Sequence, residues 1–196
     1  MKVVAVSQRV DEYPNRGEFR DSLDQKMVDF VANCDAMLIP VPNFLNKHNM
    51  LFPWLNHISP NGIILSGGED IGSCLNRDDT EETLLRYCES KRLPLLGICR
   101  GAQVIGVRAG SKIKKVKGHV AVRHRIKGEI TGEVNSFHSN VLTKKPKDFS
   151  IIARSIDNEI EAIRHNYLPW EGWMWHPERE MESSTRDINR LKALLT

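Results

Sequence analysis

Leu93-Pro94-Leu95-Leu96-Gly97-Ile98-Cys99-Arg100-Gly101-Ala102-Gln103-Val104-Ile105-Gly106-Val107 is the stretch that decides the fold. Residues 93–98 form a short apolar run that reads as a strand. Residues 102–107 read as a helix, closed near Gly110. Between them, Gly97-Ile98-Cys99-Arg100-Gly101 is the cysteine form of a strand–turn–helix elbow that exposes a nucleophile. Its two glycines allow a tight turn without Cβ clashes. Such a turn lifts the thiol above the C-terminal edge of a sheet, where α/β proteins bind ligands. The free N–H groups and dipole of the helix N-terminus favour a thiolate, the attacking species. A cysteine taken alone is more often buried packing, and Cys34, Cys74 and Cys88 read that way. No C-x-x-C pair exists, which argues against a zinc ribbon or a thioredoxin-like motif.

Outward from the elbow, the first half alternates strands and helices. Residues 3–7, 37–39 (ended by Pro40) and 62–65 (ended by Ser66-Gly67-Gly68) read as buried strands. Residues 80–90 read as a helix with Asp78 or Asp79 as N-cap. Phe19, Leu23, Met27, Phe30 and Val31 recur at helical spacing. The second half reads as successive strands at 120–130, 133–138, 150–156, 160–165 and 172–175, then a helix over 185–195. The expectation is one α/β domain over residues 1–196. It has three layers, with a mostly parallel central sheet, helices on both faces and an antiparallel extension.

The chain has 196 residues, 40% hydrophobic and 27% charged, as in soluble globular proteins. No apolar run is long enough to span a membrane, and the apolar start is too short for a signal peptide, so a cytoplasmic location is expected. A formal charge of +3 gives no reason to expect nucleic acid as a partner.

A cysteine nucleophile needs a base, and the base needs an orienting group. Trp175-His176-Pro177-Glu178 supplies both, since residues i and i+2 of an extended segment share a face. His119, His124 and His138 read as core or site-lining residues with satisfied hydrogen bonds. A five-residue separation of His119 from His124 suits metal ligation on neither helix nor strand, so no metal site is expected. An oxyanion would be met by the N–H of Arg100 and by one from the loop Ser66-Gly67-Gly68-Glu69-Asp70.

Together with Gly118-His119, Asn135-Ser136-Phe137-His138 and Ile160-Glu161-Ala162-Ile163, these motifs resemble the class I (triad) glutamine amidotransferases. The resemblance is to the γ-glutamyl hydrolase branch of that flavodoxin-like superfamily. It covers most of the chain, with the motifs in family order. It implies a triad of Cys99, His176 and Glu178, and oxyanion donors at Gly68 and Arg100. It further implies glutamyl contacts from Gly67, Gln103 and the backbone at Ser136 and Phe137. The expected substrate is a small γ-glutamyl compound, with no cofactor. The quaternary state is left between monomer and homodimer. Two loops depart from the family pattern, Ile71-Gly72-Ser73 and Ser139-Asn140, both on the leaving-group side.

The N-terminal run from Ser7 to Gln25 resembles a compact subgroup of these hydrolases tied to surface-polysaccharide biosynthesis. Arg9 and Arg20, with Arg16, fall near the expected cleft, and guanidinium forks suit phosphate oxygens of a nucleotide-linked leaving group. Lys112, Lys114, Lys115 and Lys117 read as a solvated basic face. Two other readings stand beside the hydrolase: a glutaminase subunit feeding ammonia to a separate synthase, and a non-catalytic binding protein on the same fold.

Overall fold

The computed structural model describes residues 1–180 and 184–196. The first half runs β1 (Lys2–Ser7), β2 (Arg9–Tyr13), β3 (Glu18–Ser22), α1 (Lys26–Asn33), β4 (Ala36–Val41), α2 (Phe44–Lys47), α3 (Leu51–Ile58) and β5 (Gly62–Leu65). It continues with α4 (Leu75–Lys91), β6 (Leu95–Ile98) and α5 (Arg100–Arg108). The second half holds β7 (Ile113–Lys115), β8 (Val120–Gly128), β9 (Gly132–Phe137), β10 (Asn140–Leu142), β11 (Phe149–Ser155), β12 (Ile160–His165), β13 (Trp170–Trp173) and α6 (Thr185–Leu194).

Nine strands form one sheet in the order β4-β1-β5-β6-β13-β12-β11-β8-β9. The five from β4 to β13 are parallel, and the rest are joined antiparallel. Strand periodicity builds a core on both faces. Val4, Val6, Ile64, Leu96 and Ile98 pack with Met27, Phe30 and Val31 of α1 and Leu191 of α6. Ala5, Ile63, Leu65 and Leu95 turn the other way, onto Leu51 and Leu55 of α3, Leu84 and Leu85 of α4 and Ile105 of α5. The three-layer α/β expectation therefore holds. No helix among the described residues is long and apolar enough to cross a membrane.

Several local expectations are corrected. The helical spacing at residues 19–31 belongs to α1 only in its second half. Gly17 adopts a left-handed φ of 62°, which folds residues 9–22 into the hairpin β2–β3 and leaves Phe19 exposed. Helix α4 begins at Leu75, and Asp78 lies in its first turn and accepts a bond from the Gly72 N–H at 2.9 Å. Pro40 does not end its strand. β4 is an edge strand, so the missing N–H costs no ladder bond there. Helices α2 and α3 and the small sheet β7–β10 have no counterpart among the elements expected from the sequence.

Candidate active site

Strand β6 delivers Cys99 at the centre of the sheet, as the N-cap of α5. Its backbone is held at φ 52°, ψ −104°, a region that side-chain-bearing residues avoid at a cost of about 1–3 kcal/mol. A bond from the Cys99 N–H to the Trp173 carbonyl at 2.7 Å helps hold it there. The flanking glycines are required by packing. A Cβ on Gly97 would sit 2.5 Å from the Gly101 carbonyl carbon, and one on Gly101 would strike the Leu65 backbone. Helix and sheet can approach this closely only without those side chains. Burial pushes the thiol of Cys34 up to about 11 and raises that of Cys88, which suits their structural reading.

Strand β13 lies parallel to β6, so the chain just beyond it brings His176 beside Cys99. The His176 Nδ1 is 2.7 Å from Glu178 Oε1. The pair is not on an extended segment as expected. His176 caps a 3₁₀ turn, Pro177–Arg179, whose first residue is the proline, and the turn carries Glu178 back to the ring. With Nδ1 engaged by Glu178, Nε2 is left for the neighbouring thiol of Cys99, whose proximity raises the imidazole. Burial works to lower the imidazole, but Cys99 and then Glu178 together hold it up to about 9. The ring therefore favours the imidazolium near neutral pH.

His176 is positioned by residues to which the motifs alone assign no such role. Asn135 clamps the His176 backbone from both sides. Its Oδ1 accepts the His176 N–H at 2.9 Å, and its Nδ2 donates to the His176 carbonyl at 2.7 Å. The Phe137 ring stands edge-on to the imidazole at 5.8 Å, under the Arg179 guanidinium at 4.9 Å. Gly67 backs the ring closely, since a Cβ there would lie 2.5 Å from His176 Cε1.

The loop of Gly67 and Gly68 follows β5 and rests on a buried ionic network that sequence reasoning missed. Arg77 of α4 is fully buried. It donates to Glu69 Oε2 at 2.7 Å, to Glu81 Oε1 at 3.0 Å, and to the carbonyls of Ser66 and Gly67 at 2.8 and 3.0 Å. The Arg100 side chain, also buried, donates to Glu81 and to Asp78. The i,i+4 spacing of Arg77 and Glu81 was the available signal, but an exposed helix pair looks the same in sequence. A Cβ on Gly68, at φ 146°, would fall onto Arg77, so the loop can settle there only with glycine.

Gln103 is buried and donates to the Asn140 carbonyl at 3.1 Å. The Ser136 hydroxyl donates to the His119 carbonyl at 2.6 Å. A cleft of about 300 Å³ opens beside His176, lined by Arg9, Asp11, Ser22, Asp24, Gly67, Gly68, Glu178 and Arg179 among others. Arg9 thus reaches the cleft. Arg20 does not: as a strand residue of the hairpin, it pairs with Glu18 at 2.5 Å and covers the Tyr13 ring. Lys114 pairs with Glu159 at 2.7 Å.

His119, His124 and His138 are not the hydrogen-bonded core residues that were expected. They converge on Glu161 with most ring nitrogens unpartnered. The sequence argument failed at Ala121. A left-handed φ of 54° there and a register shift between Val120 and Val122 insert one extra residue, which turns an odd spacing onto one face.

The structure thus sets a cysteine at a strained strand–helix elbow beside a histidine that is paired with a carboxylate, on an α/β sheet. The chain belongs to the class-I glutamine amidotransferases, whose family model matches residues 17–194. It is 34% identical to a γ-glutamyl-CDP-amidate hydrolase of Campylobacter jejuni over 135 residues, 66% of this chain and 67% of that protein. It is 31% identical to anthranilate synthase component 2 of Thermococcus kodakarensis over 169 residues, 81% and 83% of the two chains. A glutamine-hydrolyzing GMP synthase subunit from Methanococcoides burtonii is 37% identical over 132 residues, 61% of this chain and 65% of that protein. Among solved structures, a GMP synthase subunit from Thermoplasma acidophilum superposes with a TM-score of 0.71 at 19% identity. That match covers 100% of this chain and 94% of the other.

Proposed function

We propose that the protein hydrolyses a γ-glutamyl amide bond and releases glutamate, with γ-glutamyl-CDP-amidate as the substrate and cytidine diphosphoramidate as the other product. The observation that carries the chemistry is the His176 ring, held by Glu178 at 2.7 Å from its Nδ1 and raised by the neighbouring Cys99. The Cys99 thiolate attacks the γ-carbonyl carbon, and the N–H groups of Gly68 and Arg100 receive the developing oxyanion. The C–N bond breaks as His176 gives its proton to the leaving nitrogen, and a glutamyl thioester remains. His176, now neutral, takes a proton from water, whose oxygen attacks the thioester. Glutamate departs and Cys99 returns as thiolate. Gln103 and the backbone at Ser136 and Phe137 hold the glutamyl end.

The leaving-group assignment draws on the cleft beyond Gly68. Arg9 and Arg179 line it, and two guanidinium groups suit a diphosphate. The likeness to the Campylobacter jejuni hydrolase and the motifs of the N-terminal run point the same way, and the departures at Ile71-Gly72-Ser73 and Ser139-Asn140 argue against the family's usual substrates. A second reading, in which the chain is the glutaminase of a two-protein synthase, is favoured by the likeness to anthranilate synthase component 2 and to the GMP synthase subunit from Methanococcoides burtonii.

Glutamate release from glutamine and from γ-glutamyl-CDP-amidate separates them, with Cys99→Ala as the control. The hydrolase reading expects autonomous turnover with strong preference for the nucleotide, and a raised KM for it alone in Arg9→Ala. Preference for glutamine, or turnover only with an added synthase, would establish the second reading. Activity retained in Cys99→Ala would refute both.

A further inference from the structure

Among the described residues, ten buried side-chain nitrogen or oxygen atoms lack a hydrogen-bond partner, and six of them belong to His119, His124, His138 and Glu161. Leaving one buried polar group unpaired is costly, and a buried carboxylate more so. Glu161, on β12, is fully buried, and both of its oxygens are among the six. This concentration marks a place where a charged ligand is missing from the balance.

The geometry says which ligand. His119 Nδ1, His124 Nε2 and His138 Nε2 stand 3.4, 3.5 and 3.5 Å from the same oxygen, Glu161 Oε1. The ligand atoms of all four residues lie within 4.8 Å of one another. Separations of 3.4–3.5 Å are too long for N–H···O bonds. They match three of the six edges of a tetrahedron around a zinc-sized ion, where bonds of about 2.0–2.2 Å leave ligand atoms roughly 3.3–3.5 Å apart.

The surroundings agree. His119 Nε2 is 2.9 Å from Asp157 Oδ2, and the other oxygen of Asp157 accepts from the Ser155 hydroxyl. An outer carboxylate on the far ring nitrogen fixes the tautomer that frees Nδ1, as in carboxylate–histidine–zinc arrangements. His119 and His138 are buried and His124 nearly so. Imidazole and carboxylate donors suit zinc and its divalent first-row neighbours.

We propose that His119, His124, His138 and Glu161 form a structural site for one divalent transition-metal ion, zinc by preference. Four protein ligands fill a tetrahedron, so no position is open for substrate. The ion ties β8 and β12 to the end of β9. The Ser136 hydroxyl and the His138 N–H both donate to the His119 carbonyl, at 2.6 and 3.1 Å. Three residues before His138, Asn135 grips the His176 backbone. The ion therefore braces the segment that positions the candidate base, without touching the reacting atoms.

The test uses tag-free full-length protein purified without a metal-affinity step. Elemental analysis is expected to find about one zinc per chain. After chelation, one equivalent of Co²⁺ should give the intense visible bands of tetrahedral cobalt. Zinc at about 100 times its Kd should raise Tm by roughly 5–10 °C. Asp157→Asn should weaken the metal about 10–100-fold in a chelator competition. Glu161→Gln and His124→Ala should lose the cobalt bands. His124 is the least buried ligand, so its variant is the one expected to keep a native circular dichroism spectrum. The proposal falls if wild type takes up no tetrahedral cobalt and its Tm ignores zinc, or if folded His124→Ala binds metal as tightly as wild type. Each of these readouts is independent of activity, so they stand apart from the outcome of the substrate comparison.

Discussion

His176 is the residue on which the proposed chemistry turns, and its protonation sets a pH window. In the folded chain it is raised from 6.5 to about 9, held by Cys99 and Glu178 against the effect of burial. A histidine raised on folding stabilises the fold fully below its unfolded value near 6.5 and loses that contribution as pH rises through about 9. In the proposed mechanism the imidazolium is also the proton donor to the leaving nitrogen. The kcat/KM profile should therefore show an alkaline limb near 9, and Glu178→Gln should move that limb to lower pH and cut kcat by about 10²–10⁴-fold. A limb that stays in place would remove Glu178 from the relay. Gly67 makes a second prediction at this scale. A methyl group 2.5 Å from His176 Cε1 must displace the ring or the loop. Gly67→Ala should lower kcat by about 10²-fold or more with Tm little changed, checked by paired turnover and melting measurements.

Helix α4 has a function that its sequence pattern conceals. Its hydrophilic stretch from Asn76 to Glu82 would pass for a solvated face, yet Arg77, Thr80 and Glu81 are fully buried. They are buried because the loop after β5 exposes carbonyl groups that need donors, and Arg77 supplies them. Arg77→Met would leave Glu81 and the carbonyl groups of Ser66 and Gly67 short of a donor. Breaking a buried pair costs about 3–5 kcal/mol, or a Tm loss of roughly 6–20 °C in a chain this long. Thermal melts of the variant test this, and a change within about 2 °C would mean that water replaces the guanidinium. The hairpin β2–β3 is the opposite case, where Phe19, the first of the apolar residues at helical spacing, stays exposed because Gly17 reverses the chain before a helix can form.

At the scale of the whole molecule, the sheet joins groups that lie far apart in the chain. Cys99 and His176 meet because β13, after an antiparallel excursion through β8, β9, β11 and β12, returns to pair parallel with β6. The helix beyond it closes one face: Leu191 and Leu195 are buried, and Trp175 donates to Asp187 at 3.2 Å. Truncation before Ser184 should therefore abolish activity although the proposed triad lies upstream. Losing two buried leucines costs about 2–5 kcal/mol each, against a total stability of roughly 5–15 kcal/mol. Near-ultraviolet circular dichroism should show lost tertiary order, and a truncated chain with native signal and turnover would contradict this. The α/β class, the elbow at Cys99 and the pairing of His176 with Glu178 were legible in the linear chain, because each rests on local periodicity, turn chemistry or short spacing. Folding in three dimensions was needed to set β13 beside β6, to place Arg77 and Arg100 on a shared Glu81 beneath the loop of Gly68, and to bring three histidines onto Glu161. Apart from the i,i+4 pair of Arg77 and Glu81, those contacts join residues 19 or more positions apart or depend on one bulge at Ala121, and no local pattern encodes which distant strands become neighbours.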